Sequence, residues 1–211
     1  MTGGTAAAAR RKRVFINCPF DRQYENLFLA LISGIVCLRL EPHCALELSA
    51  DKQRLHRMQE LIASCSASVH DLSRVTLSGE AGQRVPRFNM PFELGLACQQ
   101  AFSTRSQHSF FLFEEVPYRL QRSMSDLNGY EPFIHHGDVG QLLRAVRNAL
   151  GAGPGAREPT MRQMEEVTEN VIRMMRTHRR RRELQTFFDR SGFQAAGRAA
   201  AAFARAAGLL R

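Results

Sequence analysis

A chain of 211 residues is long enough for one domain with a full core plus an appendage, and short for two complete domains. Hydrophobic residues make up 44% and charged residues 23%, which excludes wholesale disorder and fibrous repeats, and no run of about 18 apolar residues offers a membrane span. The net charge of +9 is uneven: residues 157–211 hold twelve arginines against six acidic residues, which suits an anionic partner for that end, or solubility.

Residues 1–11 read as a loose tail without the apolar core of a secretory signal. The segment Arg13-Val-Phe-Ile-Asn-Cys18, closed by Pro19, predicts a buried strand. Asp21 can then cap a helix in which Tyr24, Leu27, Phe28, Leu31, Ile32 and Ile35 form one apolar face. Residues 39–48 predict a second, poorer strand, placed at an edge or in irregular structure by Pro42. Leu55, Met58, Leu61 and Ile62 mark the next helix, Ala67 to Leu72 a third strand, and Ser73 to Phe88 a loop. A helix opens at Asn89 or Met90 and runs to Gln100, with Pro91 in its first turn, where proline is tolerated. The apolar run Ser109 to Phe113 predicts a central strand.

Tyr118 to Leu127 suits a short helix ending at the Asn128-Gly129 turn signal, and Phe133 to His135 a last short strand. Asp138 can cap a helix burying Val139, Leu142, Leu143, Val146 and Leu150. The alternation of strand and helix predicts an α/β fold over residues 12–150: a flavodoxin-like five-stranded parallel sheet with helices on both faces. Residues 151–157 read as a linker and 158–211 as a basic helical extension. In that extension Met161, Met164, Val167, Val171, Met174 and Met175 line one helix face, Arg179 to Arg182 form a basic run, and residues 194–208 are alanine-rich.

In an open parallel sheet, ligands bind at the carboxyl ends of strands near the point where strand order reverses. Asn17-Cys-Pro-Phe-Asp21, His70-Asp-Leu-Ser-Arg74 and Asn89-Met-Pro-Phe-Glu-Leu-Gly95 all fall there and should converge on one crevice. The run Phe15-Ile-Asn-Cys-Pro-Phe-Asp21 resembles the strand-one turn of nucleoside 2-deoxyribosyltransferases and the opening box of TIR domains. The Glu-Leu-Gly-Leu-Ala core of Asn89 to Ala97 resembles the Glu-Leu-Gly signature of both groups, and His70-Asp-Leu-Ser73 is similar to their strand-end acid and hydroxyl segment. The resemblance covers about 140 residues, with two departures: Cys18 stands where the transferases often carry glycine, and the chain has no tryptophan.

The resemblance implies an N-glycosidase acting on NAD, a nucleoside or a nucleotide, with Glu93 and Asp71 catalytic and Asn17, Cys18, Pro19, Phe20, Asp21, Ser73, Arg74 and Asn89 binding the nucleotide. It also implies a role in bacterial antiphage defence. NAD enters as a possible substrate, and no cofactor is expected. The chemistry points the same way, because cleaving an N-glycosidic bond builds positive charge on C1′, where a carboxylate stabilises it or attacks. The first helical turn would favour ionised Glu93 by roughly 0.3–1 kcal/mol.

Each residue also has a plainer reading. Glu93 can simply complement a helix dipole, Asp71 can brace a loop, and Asp21 can cap its helix. Arg74, Arg84 and Arg87 can fork onto phosphate or face solvent. Cys18 can be a reactive thiol near a helix start or a packing residue. The histidines His43, His70, His135 and His136 share no ligand spacing, so no metal site is expected.

The five cysteines Cys18, Cys37, Cys44, Cys65 and Cys98 lack a C-x-x-C pair and suit free thiols in a reducing cytoplasm. The arginine run with Phe187, Phe188 and Phe193 suits a helix docked on the domain or pairing with another copy, rather than nucleic acid. The alternative to catalysis is a binding module that senses a nucleotide and signals through this tail.

Overall fold

The computed structural model describes residues 12–74, 77–78, 85–86, 88–103, 107–153 and 157–210. The N-terminal tail, Arg84 and Arg87 lie outside the described residues. Five parallel strands form the main sheet: β1 (Arg13–Asn17), β2 (Glu41–Cys44), β3 (Ala67–Asp71), β4 (Ser109–Glu114) and β5 (Phe133–Ile134). Their order is β2-β1-β3-β4-β5, so the chain reverses direction across the sheet between β1 and β3. This is the flavodoxin-like architecture expected from the alternating pattern. Pro42, which cannot donate to a ladder, sits on the edge strand as anticipated. Within the stretch expected to be loop, Leu77–Ser78 pairs antiparallel with Val85–Pro86.

Among the described residues seven α-helices accompany the sheet: α1 (Glu25–Cys37), α2 (Arg54–Ala63), α3 (Asn89–Phe102), α4 (Arg119–Ser123), α5 (Val139–Leu150), α6 (Met161–Arg180) and α7 (Arg190–Ala206), the last two packing on α1. Strand side chains alternate between the two faces with period two. Val14 and Ile16 of β1 enter a core shared with α1 and α5, while Phe15 between them packs with Met58 and Ile62 of α2 and Ala97 of α3.

Beyond its first two residues helix α1 has no solvent face: every residue from Leu27 to Cys37 is buried. The pattern of its sequence marked only one side as apolar, but from Leu27 on the helix is covered all round, α6 and α7 packing on it together with α5, and Phe193 of α7 meeting Phe28 at 6.2 Å. Met164, Val167, Val171 and Met175 of α6 and Phe193, Ala196, Ala199, Ala200 and Ala204 of α7 belong to the same core as α1 and α5. Gly34 permits the close approach, since a Cβ there would lie 3.1 Å from Leu143 and 3.6 Å from Met164.

The start of the segment read as a linker packs on the end of α1. The Gly153 N–H donates to Leu38 O at 2.7 Å, and any Cβ on Gly153 would lie 3.2 Å from two backbone oxygens at the end of α1. Two apolar residues expected to be buried are instead exposed, Leu55 at 51% and Met174 at 37%, because each faces away from its helix's packing surface.

Caps follow sequence chemistry. Asp138 accepts from Gln141 N at 2.8 Å as expected, Thr160 and Gln163 form a capping box on α6, and Asp189 accepts from Gly192 N at 2.7 Å on α7. Asp21 does not cap α1 itself. Its Oδ1 accepts from the N–H groups of Gln23 (2.9 Å) and Tyr24 (3.2 Å) in the turn that leads into the helix.

Candidate active site

A cavity of about 300 Å³ opens at the carboxyl end of β1, beside the point of strand-order reversal. This size falls in the range of small-molecule sites. It is lined by Asn17, Cys18, Pro19 and Phe20 of the β1 turn, Ala45 and Leu46 after β2, Arg54 at the start of α2, and Asn89, Met90 and Glu93 of α3. Phe188, from the connection between α6 and α7, completes the lining.

The expected convergence of the β1 turn with the opening of α3 is present, and Glu93 is brought to it as anticipated. Helix α3 begins at Asn89, so Glu93 sits one turn inside rather than in the first turn. The helix-dipole contribution expected for its charge is correspondingly reduced, because that field falls off within the first turn.

The second expected segment is not in the cavity. Asp71 has no solvent exposure, and its carboxylate is already engaged by four donors. Tyr24 Oη and Ser73 Oγ donate to it in very short contacts, and Ser73 N donates at 2.9 Å. The Gly137 N–H donates to His135 Nδ1 at 3.0 Å, which leaves the imidazole proton on Nε2, 2.9 Å from Asp71 Oδ2.

Asp71 therefore joins β3, the entry to α1 and the β5 turn, and it is not among the residues that line the cavity. Ser73, also without exposure, is held in the same cluster, its Oγ 3.0 Å from His135 Nε2. Asp21 and Arg74 are likewise outside the cavity lining, paired with each other at 2.9 Å. Asp71→Asn is expected to cost roughly 3 kcal/mol of stability, since an amide nitrogen would face buried donors; urea unfolding reads this directly, and an unchanged midpoint would refute the bracing role.

Asn17 lies where it was expected. It lines the cavity, but its amide protons are used internally: Nδ2 donates to Met90 O at 2.8 Å and to His70 Nδ1 at 2.9 Å. With His70 Nδ1 accepting, Nε2–H donates to Ser68 Oγ at 2.8 Å. The Ser68 hydroxyl then donates to His108 Nε2 at 2.8 Å, and His108 Nδ1–H donates to Cys65 O at 2.9 Å.

This buried chain runs through β3 and fastens the first turn of α3, and hence Glu93, to the end of β1. It needs neutral imidazoles. Burial, reinforced by the neighbouring His108, lowers the His70 pKa to about 3, and burial also pushes His108 down.

An unfolded histidine near pH 6.5 binds protons that folded His70 refuses. Stability is therefore full above about pH 6.5 and falls by up to about 1.4 kcal/mol per pH unit below it, towards the folded value. Urea titrations at pH 7 and pH 5 should show this loss, and a His70→Gln variant should show a shallower one. Equal slopes in the two proteins would contradict the assignment.

Cys18 settles on the packing reading. Burial first, then the negative charge of Asp71, raises its thiol pKa well above the ordinary value, which disfavours the thiolate. Among the described residues no three His, Cys, Asp or Glu side chains group as metal ligands.

The chain matches no known protein-family model and no curated protein.

Sequence reasoning missed Arg54, Ala45, Leu46 and Phe188. The strand-end rule applied to β2 would have reached residues 45–54. Arg54 is held by two carbonyls, its Nη1 donating to Leu48 O at 2.8 Å and its Nη2 to Ala45 O at 3.2 Å, which keeps a positive charge at the cavity wall. No local signal marks Phe188, which is far along the chain from every other lining residue. The first arginine of the basic run proves structural. Arg179 makes a bidentate pair with Glu25 at 2.6 and 2.7 Å and stacks 4.8 Å over Phe187, whereas Arg180, Arg181 and Arg182 are exposed. Among the described residues no helix is long and apolar enough to cross a membrane.

Proposed function

We propose that the cavity binds NAD or a related nucleotide and that Glu93 cleaves its N-glycosidic bond. The observation that carries this reading is one carboxylate, Glu93, sharing a cavity of about 300 Å³ with the β1 turn and the Arg54 guanidinium. A carboxylate beneath C1′ stabilises the oxocarbenium or forms a glycosyl ester as the C1′–N bond breaks and its electron pair moves to the base nitrogen. Water then adds at C1′, freeing the carboxylate and releasing a proton.

Departing nicotinamide leaves a pyridinium as a neutral ring and requires no proton, so Glu93 alone suffices. Neutral nucleosides require an acid at the leaving base, and Asp71, the acid expected for that role, is not among the residues that line the cavity. Nicotinamide release from NAD is therefore the favoured reaction.

A second reading, a nucleotide sensor without turnover, draws on Phe188: a wall contributed by the C-terminal helices couples occupancy to them. The two separate on one assay. The protein is incubated with NAD, then with deoxynucleosides and their phosphates, and free base is followed by chromatography. Nicotinamide from the wild type and none from Glu93→Gln is the expected result. Absence of any free base, with nucleotide binding retained, would leave the sensor.

A further inference from the structure

The wall supplied from outside the α/β unit defines how the ligand is held. The end of α6 is fastened to the start of α1 by the Arg179–Glu25 pair and by Arg176 Nη2 donating to Asn26 Oδ1 at 3.1 Å. Phe187, 1% exposed, anchors the following turn in the core. Gly192 lets the first turn of α7 lie directly on that turn, since a Cβ there would come within 2.6 Å of Thr186 O.

Phe188 is thus positioned by packing on both sides. Its ring centroid lies 5.2 Å from Phe28 and 5.7 Å from Phe20, with interplanar angles of 45° and 36°. Phe20 and Phe188 both line the cavity, and Arg54 lines it from the start of α2. A ligand matching these walls has a flat unsaturated ring for the phenyl groups and an acceptor-rich portion for the guanidinium.

We propose that Phe188, backed by Phe20, is the wall against which the nucleotide base packs, so that the C-terminal helices complete the binding site and Phe188 selects for the base. This rests on the nucleotide reading of the cavity. Specificity for the base then comes from the connection between α6 and α7, which those helices hold in place, while the Glu93 chemistry comes from the α/β unit.

The test uses the full chain in a Glu93→Gln background, so that ligand is not consumed. Binding of NAD, AMP and ribose 5-phosphate is measured by calorimetry with Phe188 intact, with Phe188→Leu and with Phe188→Tyr. Leucine keeps an apolar group on Phe28 but removes the ring, whereas tyrosine restores the ring. The base-bearing ligands should weaken about tenfold with leucine and recover with tyrosine, while ribose 5-phosphate is unaffected.

Equal affinities for the base-bearing ligands in all three proteins overturn the role of Phe188 and leave the nucleotide reading standing. The same holds if leucine weakens ribose 5-phosphate equally. If the Phe188-intact protein binds none of the three, the nucleotide reading fails and takes this inference with it.

Discussion

A protein ending at Leu150 is expected not to fold. The truncation removes α6 and α7, which pack on α1 together with α5. Met164, Val167, Val171, Met175, Phe187 and Phe193 are each 5% exposed or less in the intact core. At about 1.5–3 kcal/mol for each large apolar side chain, their loss equals the entire net stability of an ordinary domain, about 5–15 kcal/mol.

The cut also strips Phe188 and Phe193 from Phe28 and deprives Glu25 of Arg179. Thermal melting followed by near-ultraviolet circular dichroism, together with mass in solution, reads the outcome. Aggregation, or loss of a cooperative transition, is expected. A monomeric fragment with a sharp melt would show that the helices are an appendage after all.

Glu93→Gln is expected to reduce nicotinamide release by about 10²- to 10⁴-fold, the range attached to a positioned carboxyl group in proton transfer or charge stabilisation. Glutamine keeps the volume and the place on α3 but cannot carry the negative charge that balances C1′. The fastening of α3 by Asn17 to Met90 O does not involve this side chain, and circular dichroism serves as the control for an intact fold. KM should move less than kcat, because the base and phosphate contacts remain. A rate equal to wild type would remove the catalytic role and leave the cavity as a binding site only.

The architecture was legible because strand and helix periods differ, and because turn and cap residues stand at element ends. Asp138 and Pro42 do in the fold what their local chemistry predicts. Glu93 was legible for a related reason: a residue near the start of the helix after β3 must lie at the carboxyl end of the sheet. Asp71 satisfied the same rule and yet lies outside the cavity lining. A strand-end carboxylate can turn either to the crevice or to the interior, and three distant partners, Tyr24, His135 and Gly137 acting through His135, turned it inward. Asn17 was placed correctly but committed elsewhere, since the chain from His108 to Met90 depends on residues spread over β1, β3 and the start of β4.

Local sequence thus determined the elements, their order and the two segments that meet around Glu93, because hydrophobic period and capping act over a few residues. Only the tertiary structure decided which polar groups remain open to a ligand, that α1 is buried on all sides from Leu27 on, and that Phe188 closes the cavity. Those outcomes depend on contacts between residues far apart in the chain, where the cost of an unpaired buried polar group or an uncovered apolar face is set by whatever the rest of the fold brings against it.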